Sequence, residues 1–192
     1  MAHEASKAMR RRIREDPEFW TRVLSGERKL DVGAGPDCLP GFQPFDLEHG
    51  DANRLSDYFP ENHFDCLHAS QCLEHMCDPR CAMLEWIRVV KPSGHLVISV
   101  PDVGAYERFR YPSVTNPDHK ASFSMIYFGS LFPIHINIPS FLRELEPYAL
   151  TLRAEYIERN FNWKLSPHID QTWNESDGVE VFIEFVLRKC SQ

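Results

Sequence analysis

A short apolar run that leads straight into paired glycines constrains this chain more than any other feature. Lys29-Leu30-Asp31-Val32 ends in Gly33-Ala34-Gly35-Pro36, which reads as a buried strand entering a tight loop. Phe64 to Ala69 and His95 to Val100 read as further strands, and Phe42 to Leu47 as a weaker one. Between Phe64–Ala69 and His95–Val100, Ala82, Met83, Trp86, Ile87 and Val90 fall at helical spacing after Pro79, and Lys91-Pro92-Ser93-Gly94 predicts the stop. Strand, helix, strand in that order implies a parallel unit with a right-handed crossover. Further on, Ser140 to Leu145 reads as a helix and Leu150 to Ile157 as a strand. Val179 to Leu187 alternates apolar and polar as a final strand after the turn signal Glu175-Ser176-Asp177-Gly178. The fold class is α/β: an open, mostly parallel sheet with helices on both faces and an antiparallel C-terminal strand.

Residues 4–24 mix charge with Ala8, Met9, Ile13, Phe19, Trp20, Val23 and Leu24, which predicts one or two amphipathic helices broken near Asp16-Pro17. Arg10-Arg11-Arg12 with Arg14 reads as a solvated helix face rather than an anion-binding patch. The chain of 192 residues fits one domain, with residues 1–26 as a helical appendage and 101–139 as an insertion. A 43% hydrophobic content excludes a disordered tail, and a net charge of −7 argues against a nucleic-acid partner. No apolar run approaches the ~20 residues of a membrane span, and the N-terminus lacks a secretory apolar core. The six cysteines are therefore expected reduced and the protein cytoplasmic.

In open α/β sheets a ligand sits beyond the carboxyl ends of the strands, where the winding reverses. The Gly33-Ala34-Gly35 loop occupies such a position, since glycine lets backbone approach a ligand closely. A dinucleotide fingerprint needs a third small residue opening a helix under a pyrophosphate. Here that position is Cys38, and Asp37 would repel the phosphates.

The run Leu30-Asp31-Val32-Gly33-Ala34-Gly35 resembles the first motif of class I S-adenosylmethionine-dependent methyltransferases, which have a Rossmann-like sheet. Asp46 in Phe45-Asp46-Leu47 is similar to the family's acid on the ribose hydroxyls, and Gly50-Asp51-Ala52 with Leu55 to its adenine-side segment. Phe64-Asp65, Leu73-Glu74-His75, Glu85, Arg88 to Gly94 and Leu96 resemble the fourth strand, helix and fifth strand of the small-molecule branch. The resemblance implies S-adenosylmethionine as cofactor. Asp31 would orient its ammonium or the loop, with Gly33, Ala34 and Gly35 lying beneath. Asp46 would take the diol, since charge-assisted hydrogen bonds are the stronger kind. Asp51 and Ala52 would read the adenine edge, Leu47 would pack on the ring, and Ser70 and Gln71 would line the methionine side.

Only ten residues, Pro36 to Phe45, separate Gly35 from Asp46, too few for the usual crossover helix. The first half of the sheet is therefore expected to be shortened, with a bare loop there, and Asn53 to Asn62 must supply any third strand. The adenine would then be exposed unless the N-terminal helix covers it.

Methyl transfer is a direct displacement, so positioning supplies much of the rate. Pro101 to Pro139 shows no clear regular structure and carries Tyr106, Phe109, Tyr111, Phe123, Tyr127, Phe128 and Phe132 with His119 and His135. It is the expected home of a small-molecule acceptor, or of a sugar or lipid precursor, and equally suits a homodimer contact. His75 and His119 are the candidate proton-transfer residues. His75, Cys77 and Cys81 cluster near a helix start, but no second Cys-x-x-Cys pair closes a zinc site, so no metal is expected. The rival reading is a non-catalytic module of the same fold that acts with a partner chain.

Overall fold

The computed structural model describes residues 4–127, 129, 132–173 and 178–191; Phe128 and the predicted turn at Glu175–Asp177 lie outside them. Asp16 breaks the N-terminal segment as expected, ending α1 (Glu4–Glu15) and capping α2 (Pro17–Val23) by accepting a 3.2 Å hydrogen bond from the Phe19 amide. The core that follows is a six-stranded sheet made of β1 (Lys29–Val32), β2 (Gln43–Phe45), β3 (Phe64–Ser70), β4 (Val90–Val100), β7 (Ala149–Arg159) and β8 (Glu180–Lys189). Its order is β2-β1-β3-β4-β8-β7. β2, β1, β3 and β4 run parallel, and β8 is antiparallel to both its neighbours.

Winding reverses between β1 and β3. Val32 pairs with Phe45 of β2 on one side and Ala69 of β3 on the other, so the residues after Val32 and after Ala69 meet at one crevice. The shortened first half is as expected: no helix links β1 to β2, and between β2 and β3 lies a 3-10 helix, Ala52–Asp57, with no third strand. Indole Nε1 of Trp86, on α3 (Pro79–Val89), donates to the Ala52 carbonyl at 2.8 Å and moors that helix to the sheet.

Period-two alternation in the strands divides the core into two layers. Leu30, Val32, Leu67, Leu96, Ile98, Ile183 and Phe185 pack beneath α3 and α4 (Ile138–Leu145). Cys66, Val97 and Val186 pack beneath α1 and α2 with Leu39 and Phe42.

Four expectations are corrected. The turn Lys91–Gly94 does not separate helix from strand; β4 starts at Val90 directly after α3, and the four residues bulge from it, with register jumping from Phe64–Val90 to Cys66–His95. Residues 101–139 hold regular structure after all, a parallel pair β5 (Ala121–Ser124) and β6 (Ile134–Asn137). Ala121-Ser122-Phe123-Ser124 alternates apolar and polar over only four residues, and all four are buried. The polar positions of β8 do not face water, because Glu180 and Glu184 are buried. Finally, Arg11 and Arg12 are buried as well and do not form a solvated face.

The last two corrections have one cause. Arg12 donates to Glu184 through Nε (2.8 Å) and Nη2 (2.6 Å), and Arg11 donates to Glu184 (3.0 Å) and Glu180 (3.1 Å). Arg12 Nη1 also lies 3.1 Å from His68 Nε2. Arginine can only donate, so that nitrogen accepts and His68 is neutral, with its proton on Nδ1 and directed to Asp31 at 2.6 Å. A hydrogen-bonded chain thus runs under the sheet from α1 and β8 to the end of β1.

Candidate functional site

Two cavities open at the crevice where winding reverses. The larger, about 330 Å³, is lined by Gly33, Phe45, Asp46, Leu47, Asp51, Ala52, Gln71 and His75, among others. The smaller, about 180 Å³, is lined by Glu4, Ala5, Asp31, Gly33, Ala34, Gly35, Pro36, Asp37, Ser70 and Gln71. Gly33 and Gln71 line both, so the two lobes adjoin across the end of β1. All ten residues expected to hold a cofactor line one lobe or the other.

Local chemistry explains the shape. Gly33 sits at φ +70°, and a Cβ there would lie 2.7 Å from the Cys72 side chain, so only glycine fits. A Cβ at Gly35 would meet nothing within 4 Å; that side of the loop is open to a ligand. Gln71 also takes a positive φ, +52°, tied down by its amide donating to the Ser99 carbonyl at 2.9 Å. A non-glycine residue in this region is uncommon, and it turns the chain away from β3 exactly between the lobes.

The carboxylates divide into scaffold and lining. Asp31 is buried with both oxygens engaged, one by His68 and the other by the Leu39 amide at 2.8 Å, so it ties the glycine loop to the sheet. Asp46 accepts from the Gly35 amide and the Leu47 amide, each at 2.7 Å, and stands at the mouth of the larger lobe. Beside it Leu47 is 92% exposed, an apolar side chain free to pack on a ligand ring. Asp51 caps the 3-10 helix, and hydrogen bonds from the Asn53 side chain and amide hold its carboxyl below the usual range. Ser70 Oγ accepts from Ser99 Oγ at 3.2 Å. The N-terminal helix does not cover the adenine-side lobe. Ser6 donates to Asp37 through its amide (2.9 Å) and its hydroxyl, which seats α1 on the smaller lobe.

The two candidate histidines meet, with ring centroids 4.9 Å apart. His75 faces the larger lobe, and its Nδ1 lies 3.0 Å from Asp118. Burial, then the neighbouring His119, lowers its pKa against the opposing pull of Asp118. His119 is buried behind it and lines neither lobe. Burial alone would lower its pKa, but Glu107, 2.5 Å from Nδ1, and Glu74 outweigh that and raise it. Cys77 and Cys81 are exposed and stand outside this group. Glu74 and Glu107 were not singled out as site residues from the sequence. Glu74 stood in the quoted Leu73-Glu74-His75 run, whereas Glu107 had no local signal at all.

Comparison with known proteins agrees with this geometry. A family of methyltransferase domains matches residues 27–98. Among solved structures, a SAM-dependent methyltransferase from Archaeoglobus fulgidus superposes with a TM-score of 0.58 at 18% identity, covering 98% of this chain and 95% of that one. One from Methanosarcina mazei gives 0.55 at 14% identity, covering 91% and 98%. The [4+2]-cyclase SpnF gives 0.54 at 16% identity, covering 91% and 80%. No curated protein is matched by the chain. The matched segment runs from just before β1 into β4 and so holds the strands around both lobes, and the superpositions show that the chain shares the fold of these methyltransferases.

Proposed function

We propose that the chain binds S-adenosylmethionine across the two lobes and transfers its methyl group to a small molecule. The adjoining of the lobes through Gly33 and Gln71, with every expected cofactor residue on their walls, carries this reading. The residues fit the group. The smaller lobe carries Glu4, Asp31 and Asp37 and no lysine or arginine, which suits an ammonium and sulfonium ligand and opposes a pyrophosphate. The larger lobe offers Asp46 to a ribose diol and Leu47 with Ala52 to an adenine ring. When bound, the cofactor supplies an electrophilic methyl on a positively charged sulfur. The chain's own part is positioning and exclusion of water, worth several kcal/mol in a displacement of this kind. His75, half-buried, lines the larger lobe and not the cavity assigned below to the acceptor, so the chain's part in the transfer rests on positioning alone.

For the acceptor we assign the cavity of about 520 Å³ lined by Phe109, Met125, Tyr127, Tyr156 and Trp163 with Asp102, just past the end of β4. Its walls are mostly apolar with two carboxylates, Asp102 and Glu158, which favours an acceptor with a ring or acyl body, such as a lipid precursor, over a free sugar. The test is incubation of the protein and labelled methyl donor with a cell metabolite extract. Label should appear in an organic-soluble small molecule, and Tyr127→Ala should reduce it. The bare link between β1 and β2 also suits a non-catalytic module; cofactor binding without transfer to any acceptor would favour that second reading.

A further inference from the structure

We infer that Glu74, His75 and His119 form a binding site for a divalent first-row transition-metal ion. Each offers one ligand atom, and the three atoms lie within 4.8 Å of one another. Donor–metal distances of about 2.1 Å set donor–donor spacings near 3–4 Å, so small side-chain rotations close the set on an ion.

The observation that points to a ligand is Glu74. It is fully buried, and neither carboxylate oxygen has a hydrogen-bond partner among the described residues. A buried charge without a partner is among the most costly groups a fold can hold. Protonation alone does not satisfy it, because a carboxyl O–H would still need an acceptor. Glu107 repeats the pattern on a smaller scale, with Oε2 buried and unpartnered. His119, set between the two acids, can offset at most one of their charges, whereas a divalent ion on its Nε2 would match both.

The histidines are arranged as metal ligands usually are. His119 Nδ1 lies 2.5 Å from Glu107 Oε1, and His75 Nδ1 lies 3.0 Å from Asp118 Oδ2. A carboxylate on one ring nitrogen fixes the tautomer and directs the other nitrogen at the metal. His119 Nε2 is in fact turned to Glu74 Oε1, 3.9 Å away. The backbone holds the two segments together: Lys120 donates from its amide to the Glu74 carbonyl at 2.9 Å and from Nζ to the His75 carbonyl at 2.8 Å.

Two imidazoles and one carboxylate suit manganese, iron, cobalt or zinc, whereas magnesium and calcium prefer all-oxygen sets. Such a triad leaves coordination positions open, and His75 places them beside the larger lobe. What an ion would act on there rests on the proposed function; its binding does not.

The experiment is titration of chelator-treated full-length protein with Co²⁺, followed by visible absorption, with the affinity for S-adenosylhomocysteine measured in parallel by calorimetry. One Co²⁺ should bind per chain and be displaced by Zn²⁺ but not by Mg²⁺. Glu74→Gln and His75→Gln should each weaken it by at least about a hundredfold, and Glu107→Gln by about 10–100-fold. A Cys77→Ser, Cys81→Ser double variant should bind normally. His75 is partly exposed, so its variant keeps the test valid should Glu74→Gln fail to fold. Absence of stoichiometric Co²⁺, binding that survives His75→Gln, or binding lost with the cysteines would overturn the site. Retained nucleoside affinity without Co²⁺ removes the metal alone; Co²⁺ binding without nucleoside affinity supports the metal site and counts against the proposed function.

Discussion

Two buried clusters of charge lie against the same sheet and differ in one respect. Under α1, Arg11 and Arg12 meet Glu180 and Glu184, and His68 passes the chain of hydrogen bonds on to Asp31. Beyond the carboxyl end of β3, Glu74 and Glu107 meet only histidines, and three of their four oxygens are unpartnered among the described residues. The first cluster is closed and braces the fold; the second is open and has the composition of a binding site. Burial of charge therefore does not by itself mark function. The mark is a buried polar atom left without a partner.

The largest expected effect breaks the closed cluster. Arg12→Ala leaves the buried Glu184 with Arg11 as its remaining cationic partner among the described residues, and should cost about 3–5 kcal/mol in urea unfolding. Replacing the pair together, Arg12→Met with Glu184→Leu, should restore much of that. If the single variant costs no more than an exposed substitution, the cluster is not a brace.

Next comes the larger lobe, proposed to hold the nucleoside. Asp46→Ala removes a charged acceptor and should weaken S-adenosylhomocysteine about 10–100-fold by calorimetry, at about 1.5–3 kcal/mol per charged hydrogen bond. Asp31→Asn should instead lower the melting temperature, because both of its oxygens hold the fold.

The two clusters should also respond to pH with opposite signs. Burial alone would raise the Glu184 carboxyl, but Arg12 and Arg11 outweigh it and hold it below the usual range. Its contribution is present above the unfolded carboxylate value near 4.5 and is lost as pH falls through the folded value. Glu74 is pushed by burial up to about 8 in the metal-free chain. The folded state then binds the extra proton, so stability should fall as pH rises from about 4.5 to about 8. Melting of chelator-treated protein from below pH 4.5 to pH 8, for the parent and Glu74→Gln, separates the two: the variant should lose the decline between about 4.5 and 8 and keep the acid-side loss.

The smallest effect is Glu74→Gln in metal-free protein near pH 7. Burial keeps Glu74 largely protonated in the folded metal-free chain, so a neutral isostere should leave stability within about 1 kcal/mol of the parent or raise it. A loss of 3 kcal/mol or more would mean that Glu74 is a brace like Glu184.

Much of this was legible in the sequence. The strand into Gly33-Ala34-Gly35 and the unit from Phe64 to Val100 have lengths and periods that few other structures share. The ten residues expected to hold a cofactor all line the lobes because they lie at or shortly beyond the carboxyl ends of β1, β2 and β3, where chain position fixes spatial position. What stayed hidden depends on distant partners. Arg12 and Glu184 are far apart in the chain, so each looked like a surface charge. The polar positions of β8 obeyed the alternation rule, yet α1 covers the face they point to. The alternation of β5 spans only four residues, too short to stand out as a strand in the sequence. Glu107 joins His119 through a loop fold that no local signal encodes.

Calorimetry of the purified chain with S-adenosylhomocysteine tests the central claim most directly. One molecule should bind per chain, and Asp46→Ala should weaken it while the protein stays folded. A folded protein that gives no heat with that compound or with S-adenosylmethionine would contradict the account.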